Sequence, residues 1–249
     1  MKAVILAAGQ GVRLRPLTDH KPKCLVEVAG KSLLDHQLTV LRAAGVADIN
    51  VVAGYRADQL NRVDFTRHLN ERYAETNMVS TLFAAKSLMT GESDLIISYG
   101  DIVYELHVLE TLLAVDAPIG LVVDRQWRRY WAARMDDPLL DAETLKLTDV
   151  NRVVELGKRP TSYADIQGQY TGLIKIRADY VALLPRIWCA MDRDATYDGK
   201  NYDNMYMTSF IQYLIDSGWE ARAALIENGW AEVDCEDDLR VATDFWRAG

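Results

Sequence analysis

Cysteine is scarce in this chain. Cys24, Cys189 and Cys235 are three, an odd and scattered number with no C-x-x-C spacing. That excludes a disulfide scaffold and a structural zinc site, and leaves reduced cytosolic thiols as the expectation. The four histidines, His20, His36, His68 and His107, show no metal-ligand spacing, and His36 and His68 fall in expected helices. No apolar run approaches membrane-spanning length, so no transmembrane segment and no membrane partner are expected. Lys2 and the short apolar stretch after it are interrupted by residues 9–15, which reads as a first strand rather than a signal peptide. A surplus of positive charge is missing too. Lys and Arg number 28 against 36 Asp and Glu, a net charge of −8, which argues against sequence-independent nucleic-acid binding. No linker, repeat or low-complexity segment divides the 249 residues. The expectation is one large cytoplasmic domain, with oligomeric state left open.

What is present begins at the N-terminus. A short apolar strand at 3–6 runs into Leu6, Ala7, Ala8, Gly9, Gln10 and Gly11, and then at once into Arg13, Arg15, Lys21 and Lys23. Small residues let the backbone approach a ligand, and successive N–H groups form a concavity for anions. The cations add charge where a triphosphate would sit. Leu14 stands where a dinucleotide fingerprint has its third glycine, and no G-K-[ST] follows, so neither a Rossmann dinucleotide loop nor a Walker A loop is present. The alternative is an ordinary glycine-rich strand-to-helix turn.

Downstream, apolar strands at 49–53, 95–99 and 119–123 alternate with helical patterns at 34–44, 57–69, 79–89 and 105–115. Such alternation predicts an α/β fold with a doubly wound, mostly parallel sheet. Residues 145–148 and 153–156 read as a hairpin, 170–176 as a returning strand, and 180–191 and 205–215 as helices. Strands at 221–226 and 230–233 and a helix at 237–246 close the chain. An insertion at roughly 125–170 is expected to form a substrate lid.

Two aspartates sit at strand ends, Asp101 after Tyr99-Gly100 and Asp234 after Val233. Carboxylates there face the crevice where open α/β sheets bind ligands. Together they could share one Mg2+ with nucleotide phosphates, because hard cations prefer oxygen. Asp101 could just as well cap the helix that follows it, and a helix cap before residues 236–238 is the lesser reading of Asp234.

The run L-A-A-G-x-G-x-R-L-x-P-L-T followed by P-K-x-L resembles the signature of the sugar-phosphate nucleotidyltransferase superfamily. The resemblance runs through the whole chain. It is most like the bacterial cytidylyltransferases that activate phosphocholine, 2-aminoethylphosphonate or phosphorylated glutamine. The strings at 141–146, 202–210 and 228–234 look closest to the phosphoglutamine type. The resemblance implies a Rossmann-like nucleotidyltransferase fold, CTP as donor, Mg2+ on Asp101 and Asp234, and a small phosphorylated acceptor. It assigns Arg13 and the loop amides to the triphosphate, Lys23 to the reaction centre, and Lys158 and Gly172 to the acceptor. Gly54, Tyr55, Asn77, Met78, Ser80, Tyr99 and Gly100 fall to the nucleotide, and Tyr104 to the acceptor. The Asn77-Met78-Val79-Ser80 segment replaces the base loop of the hexose-1-phosphate branch. A thymidylyl- or uridylyltransferase for hexose phosphates is therefore the second reading, and a non-catalytic nucleotidyltransferase-like module the third.

Trp127, Trp131 and Arg134 lie at i, i+4 and i+7 and share one helical face. Such a face could bury two tryptophans, or hold an acceptor's cation on aromatic planes and its carboxylate on Arg134.

Overall fold

A computed structural model describes residues 1–248. In chain order the elements are β1 (Lys2–Ala7), β2 (Glu27–Val28), β3 (Lys31–Ser32), α1 (Leu33–Ala43), β4 (Asp48–Ala53), β5 (Thr66–Leu69) and α2 (Met78–Ala84). Then come β6 (Leu95–Tyr99), β7 (Ile102–Tyr104), α3 (Leu106–Leu113), β8 (Ile119–Asp124), α4 (Trp127–Arg134), β9 (Leu145–Leu147) and β10 (Val153–Leu156). The chain closes with β11 (Gln169–Ile176), α5 (Ala178–Val181), α6 (Leu184–Ala190), α7 (Met207–Asp216), β12 (Ala221–Ile226), β13 (Trp230–Glu232) and α8 (Glu236–Ala248).

Seven strands form one sheet in the order β12-β8-β11-β6-β1-β4-β5. Every neighbouring pair is parallel except those of β11, which runs antiparallel to β6 and β8. This is the mostly parallel α/β sheet expected from the alternation. Because side chains alternate along a strand, β1 sends Ala3, Ile5 and Ala7 into one buried cluster and Val4 and Leu6 into the other. Helices α1, α3 and α4 cover the first face, and α2, α6 and α7 the second. Burial of both faces explains why the central strands read as unbroken apolar runs.

The helix expected at 57–69 does not form. Ala57–Leu60 make one 3-10 turn, and Thr66–Leu69 pair in parallel with β4 at the sheet edge. This edge strand is short and largely exposed, so it lacks the apolar run that marks the inner strands. His68 therefore lies on a strand, with Nε2 3.0 Å from Asn50 Oδ1. The helix expected at 180–191 is split into α5 and α6, with Pro185 in the first turn of α6. Proline has no N–H for a continuing ladder and suits a first turn. Among the described residues no helix is long and apolar enough to cross a membrane.

Candidate active site

The C-terminal ends of β1 and β6 lie side by side, and the site is built where their chains leave the sheet. The Gly100 N–H donates to the Leu6 carbonyl at 3.0 Å. A Cβ on Gly100 would stand 2.5 Å from that oxygen, so only glycine lets the two backbones approach this closely. The next residue is Asp101. β7 then pairs antiparallel with β13, matching Ile102 to Glu232, and the Val233 N–H donates to the Asp101 carbonyl at 3.0 Å. That pairing brings Asp234, distant in sequence, beside Asp101.

Lys23 joins them. Its Nζ donates to Asp101 Oδ2 at 2.8 Å and also to Asp234 Oδ1. Arg13 NH2 donates to Asp234 Oδ2 at 2.6 Å. Burial opposes the charge on Lys23, but Asp101 and Asp234 outweigh it and hold the ammonium above its ordinary range. Burial likewise opposes charge on Asp234, and Lys23 followed by Arg13 keeps this carboxyl below the usual value. Glu232 goes the other way. Burial and then repulsion from Asp234 raise it well above the carboxylate range, against the pull of Arg134.

Asp101, Glu232 and Asp234 each offer an oxygen, and these oxygens lie within 4.8 Å of one another. Asp101 Oδ1 is buried and has no hydrogen-bond partner among the described residues. Hard oxygen donors with one orphaned lone pair fit a divalent cation of the magnesium kind.

Two cavities open on this cluster. The smaller, about 130 Å3, is lined by Leu6, Ala7, Ala8, Gly9, Lys23, Tyr73, Thr76, Asn77, Met78, Thr81, Gly100 and Asp101. Its polar wall is fixed by buried Asn70, which donates to the Thr76 and Thr81 hydroxyls, each at 3.0 Å. The larger, about 500 Å3, shares Asn77 and Met78 with it and carries Arg13, Glu232 and Asp234. Aromatic side chains (Tyr99, Tyr170, Tyr206, Trp131 and Trp230) and the carboxylates of Asp141 and Glu143 complete it. Gly172 also lies on this wall, with φ at +87°, and a Cβ there would meet the Tyr99 ring at 2.6 Å.

The structure brings together Arg13, Lys23, Asp101, Asp234, the loop residues 6–9, Asn77, Met78, Gly100 and Gly172. Gln10 follows them, and Gly11 adopts φ +62° beside Lys23. Gly54 packs under Tyr73 against the Ala8 carbonyl. Tyr99 stands on the larger cavity, not the smaller.

Other expectations are corrected. The Ser80 hydroxyl donates to the Asp203 carbonyl at 3.0 Å and faces a separate groove with Trp188 and Tyr202, because it stands one residue, about 100°, round α2 from Thr81, which lines the smaller cavity. The Tyr55 hydroxyl donates to the Asp19 carbonyl at 2.8 Å, and Tyr73 lines the cavity in its stead. Tyr104 is fully buried in the core, and Trp127 packs there too. Trp131 is mostly core but reaches the larger cavity, where its indole N–H donates to Asp141 at 3.0 Å. Lys158 is a surface lysine paired with Glu155 at 2.9 Å.

Arg134 is the largest correction. Its side chain is 3% exposed, with Nε donating to Asp238 Oδ1 at 2.7 Å and NH1 3.4 Å from Glu232. The other oxygen of Asp238 accepts the backbone N–H groups of Asp234 at 2.9 Å and Cys235 at 3.0 Å. Arg134 thus braces the loop that carries Asp234, and its guanidinium is not free for a ligand. Sequence reasoning missed Glu232, Tyr73, Asp141 and Glu143. Glu232 left a signal, since the E-x-D spacing on a strand puts both carboxylates on one face.

A glycine-rich loop of small residues, strand-end carboxylates and paired cations on a mostly parallel sheet are the arrangement expected of a nucleotidyltransferase. Residues 3–159 match the MobA-like NTP transferase domain, and the chain belongs to that family. It is 42% identical to CTP:phosphoglutamine cytidylyltransferase of Campylobacter jejuni, over 97% of this chain and 98% of that one. Among solved structures it superposes on the inositol-1-phosphate CTP transferase of T. maritima with a TM-score of 0.72 at 20% identity, covering 97% of this chain and 94% of that one. It superposes on the CTP:phosphocholine cytidylyltransferase of Streptococcus pneumoniae with a TM-score of 0.70 at 19% identity, covering 98% of each. These two likenesses speak to the fold.

Proposed function

We propose that this nucleotidyltransferase is a Mg2+-dependent CTP:phosphoglutamine cytidylyltransferase, acting in the cytoplasm. The observation that carries the reading is the meeting of two cavities at one charged cluster, with Asp101 on the smaller and Asp234 on the larger. The full-length likeness to the phosphoglutamine enzyme supports the choice of acceptor.

In this reading the smaller cavity takes the nucleotide. The loop backbone at 7–9 and the hydroxyls of Thr76 and Thr81 face the base and ribose. A site that hydrogen-bonds one base edge rejects others, because mismatched polar groups stay unpaired. The larger cavity takes the acceptor, and its volume suits a whole phosphorylated amino acid. An acceptor phosphate oxygen attacks the α-phosphorus of CTP, the bond to the β-phosphate oxygen breaks, and pyrophosphate leaves. Two anions must meet, so catalysis is alignment and charge compensation. Lys23 and Arg13 supply cations at the meeting point. Asp101 and Asp234, with Glu232 beside them, would hold Mg2+, which when bound offsets phosphate charge.

The test is pyrophosphate release with each of CTP, UTP, dTTP and GTP, against phosphoglutamine, phosphocholine, 2-aminoethylphosphonate and hexose-1-phosphates. CTP with phosphoglutamine should give the highest kcat/KM. Faster release from UTP or dTTP with a hexose phosphate would move the enzyme to the hexose branch.

A further inference from the structure

The charges of the larger cavity do not balance. Four carboxylates line it, from Asp141, Glu143, Glu232 and Asp234, with Arg13 as the one cation among its described lining residues. At the transfer centre the charges are matched, since Asp234 has Lys23 and Arg13, and Glu232 has Arg134. Asp141 and Glu143 have no cationic partner among the described residues. Asp141 accepts only the Trp131 indole N–H. The Glu143 carboxylate accepts no hydrogen bond from any described residue, yet its backbone is held on both sides. The Glu143 N–H donates to Gln169 Oε1 at 3.0 Å, and Gln169 Nε2 donates back to the Glu143 carbonyl at 2.6 Å. Gln169 is itself 3% exposed and anchored on β11. So the backbone that carries this unpartnered, half-buried carboxylate is pinned, on a cavity lined also by aromatic rings. Burial, then the charges of Asp141 and Asp198, push it up to about 7. The Tyr170 hydroxyl, on the same lining, is also buried without a partner among the described residues.

A half-buried carboxylate left without a partner costs stability, and a ligand that supplies the missing cation recovers it. The phosphate end of an acceptor belongs at Lys23 and Arg13. A cationic group elsewhere on the same molecule would complete the charge balance of the cavity. We propose that Glu143, with Asp141 beside it, is the ammonium receptor of the acceptor cavity and makes the enzyme select phosphorylated acceptors that carry a protonated amine. The inference rests on the reading of this cavity as the acceptor site. Two side chains of the 141–146 segment then compensate a positive charge that the transfer step itself never touches. Aromatic rings alone would hold a quaternary cation, whereas a carboxylate adds hydrogen bonds that only an N–H donor can satisfy.

The test compares wild type with Glu143→Gln, an isosteric change with no internal partner to lose. Steady-state kinetics are run with phosphoglutamine and with its des-amino analogue, which keeps the phosphate. Wild type should prefer the amine. Glu143→Gln should raise the KM for phosphoglutamine about tenfold or more, leave the CTP KM within about twofold, and shrink the preference over the des-amino analogue. Equal KM increases for both acceptors, or no change for either, would overturn the receptor. The acceptor's identity is read separately by repeating the comparison as direct binding of 2-aminoethylphosphonate against ethylphosphonate. An amine preference there that Glu143→Gln abolishes supports the receptor even where phosphoglutamine is not turned over. No amine preference in wild type with either pair overturns it.

Discussion

Truncating Arg134 to alanine separates a brace from a ligand. The side chain is 3% exposed and its partner Asp238 is 4% exposed. Removing the guanidinium leaves the nearly buried Asp238 without its cation, and Glu232 on the cavity wall loses it too. Breaking a buried ion pair from one side costs about 3–5 kcal/mol. For a domain of this size 1 kcal/mol lowers the melting temperature by about 2–4 °C, so Arg134→Ala should melt about 6–20 °C lower. Asp238 would also lose the contact that orients it. Its second oxygen then holds the Asp234 and Cys235 N–H groups less firmly, and Asp234 drifts from Lys23 and Arg13. A displacement near 1 Å at a catalytic centre costs on the order of a hundredfold. The assay is thermal unfolding together with kcat and both KM values below the new melting point. Lower kcat and Tm with little change in acceptor KM is the expected pattern, and Arg134→Lys should recover part of both. An unchanged melting temperature with a raised acceptor KM alone would refute the brace and return Arg134 to the ligand.

Three further outcomes follow from the same geometry. Lys23→Ala removes the ammonium that joins Asp101 to Asp234 and should lower kcat more than it raises the KM for CTP; a change in KM alone would make Lys23 a binding residue only. Chelation of divalent cations should stop turnover and added Mg2+ restore it, with Asp101→Asn weakening that restoration; turnover indifferent to chelation would remove the metal from the carboxylate cluster. Gly172→Ala places a methyl against the Tyr99 ring at a positive φ, so it should destabilise the fold by about 1–3 kcal/mol and raise the acceptor KM; wild-type values for both would show that the ring moves aside freely.

The sheet was legible because its inner strands are buried on both faces and read as apolar runs. The exposed edge strand Thr66–Leu69 was not, since tertiary pairing rather than composition makes it a strand. The glycine-rich loop on the smaller cavity and both strand-end aspartates could be found from local pattern. Arg134 and Trp127 could not be placed that way, because helical spacing tells which residues share a face but not what covers it. Glu232 was readable from its spacing to Asp234. Glu143 and Tyr73 were not, as each reaches its cavity from a loop whose path depends on distant partners such as Gln169.

The central claim is that nucleotide and acceptor occupy two cavities that meet at Asp101, Asp234 and Lys23. A crystal structure of the protein with the cytidylylated product tests it most directly. The cytosine should lie in the smaller cavity between the loop at 7–9 and Thr76, with the diphosphate beside Lys23 and Asp234 and the acceptor's amine at Glu143. A base seated in the larger cavity, or a diphosphate remote from Lys23 and the two aspartates, would contradict it.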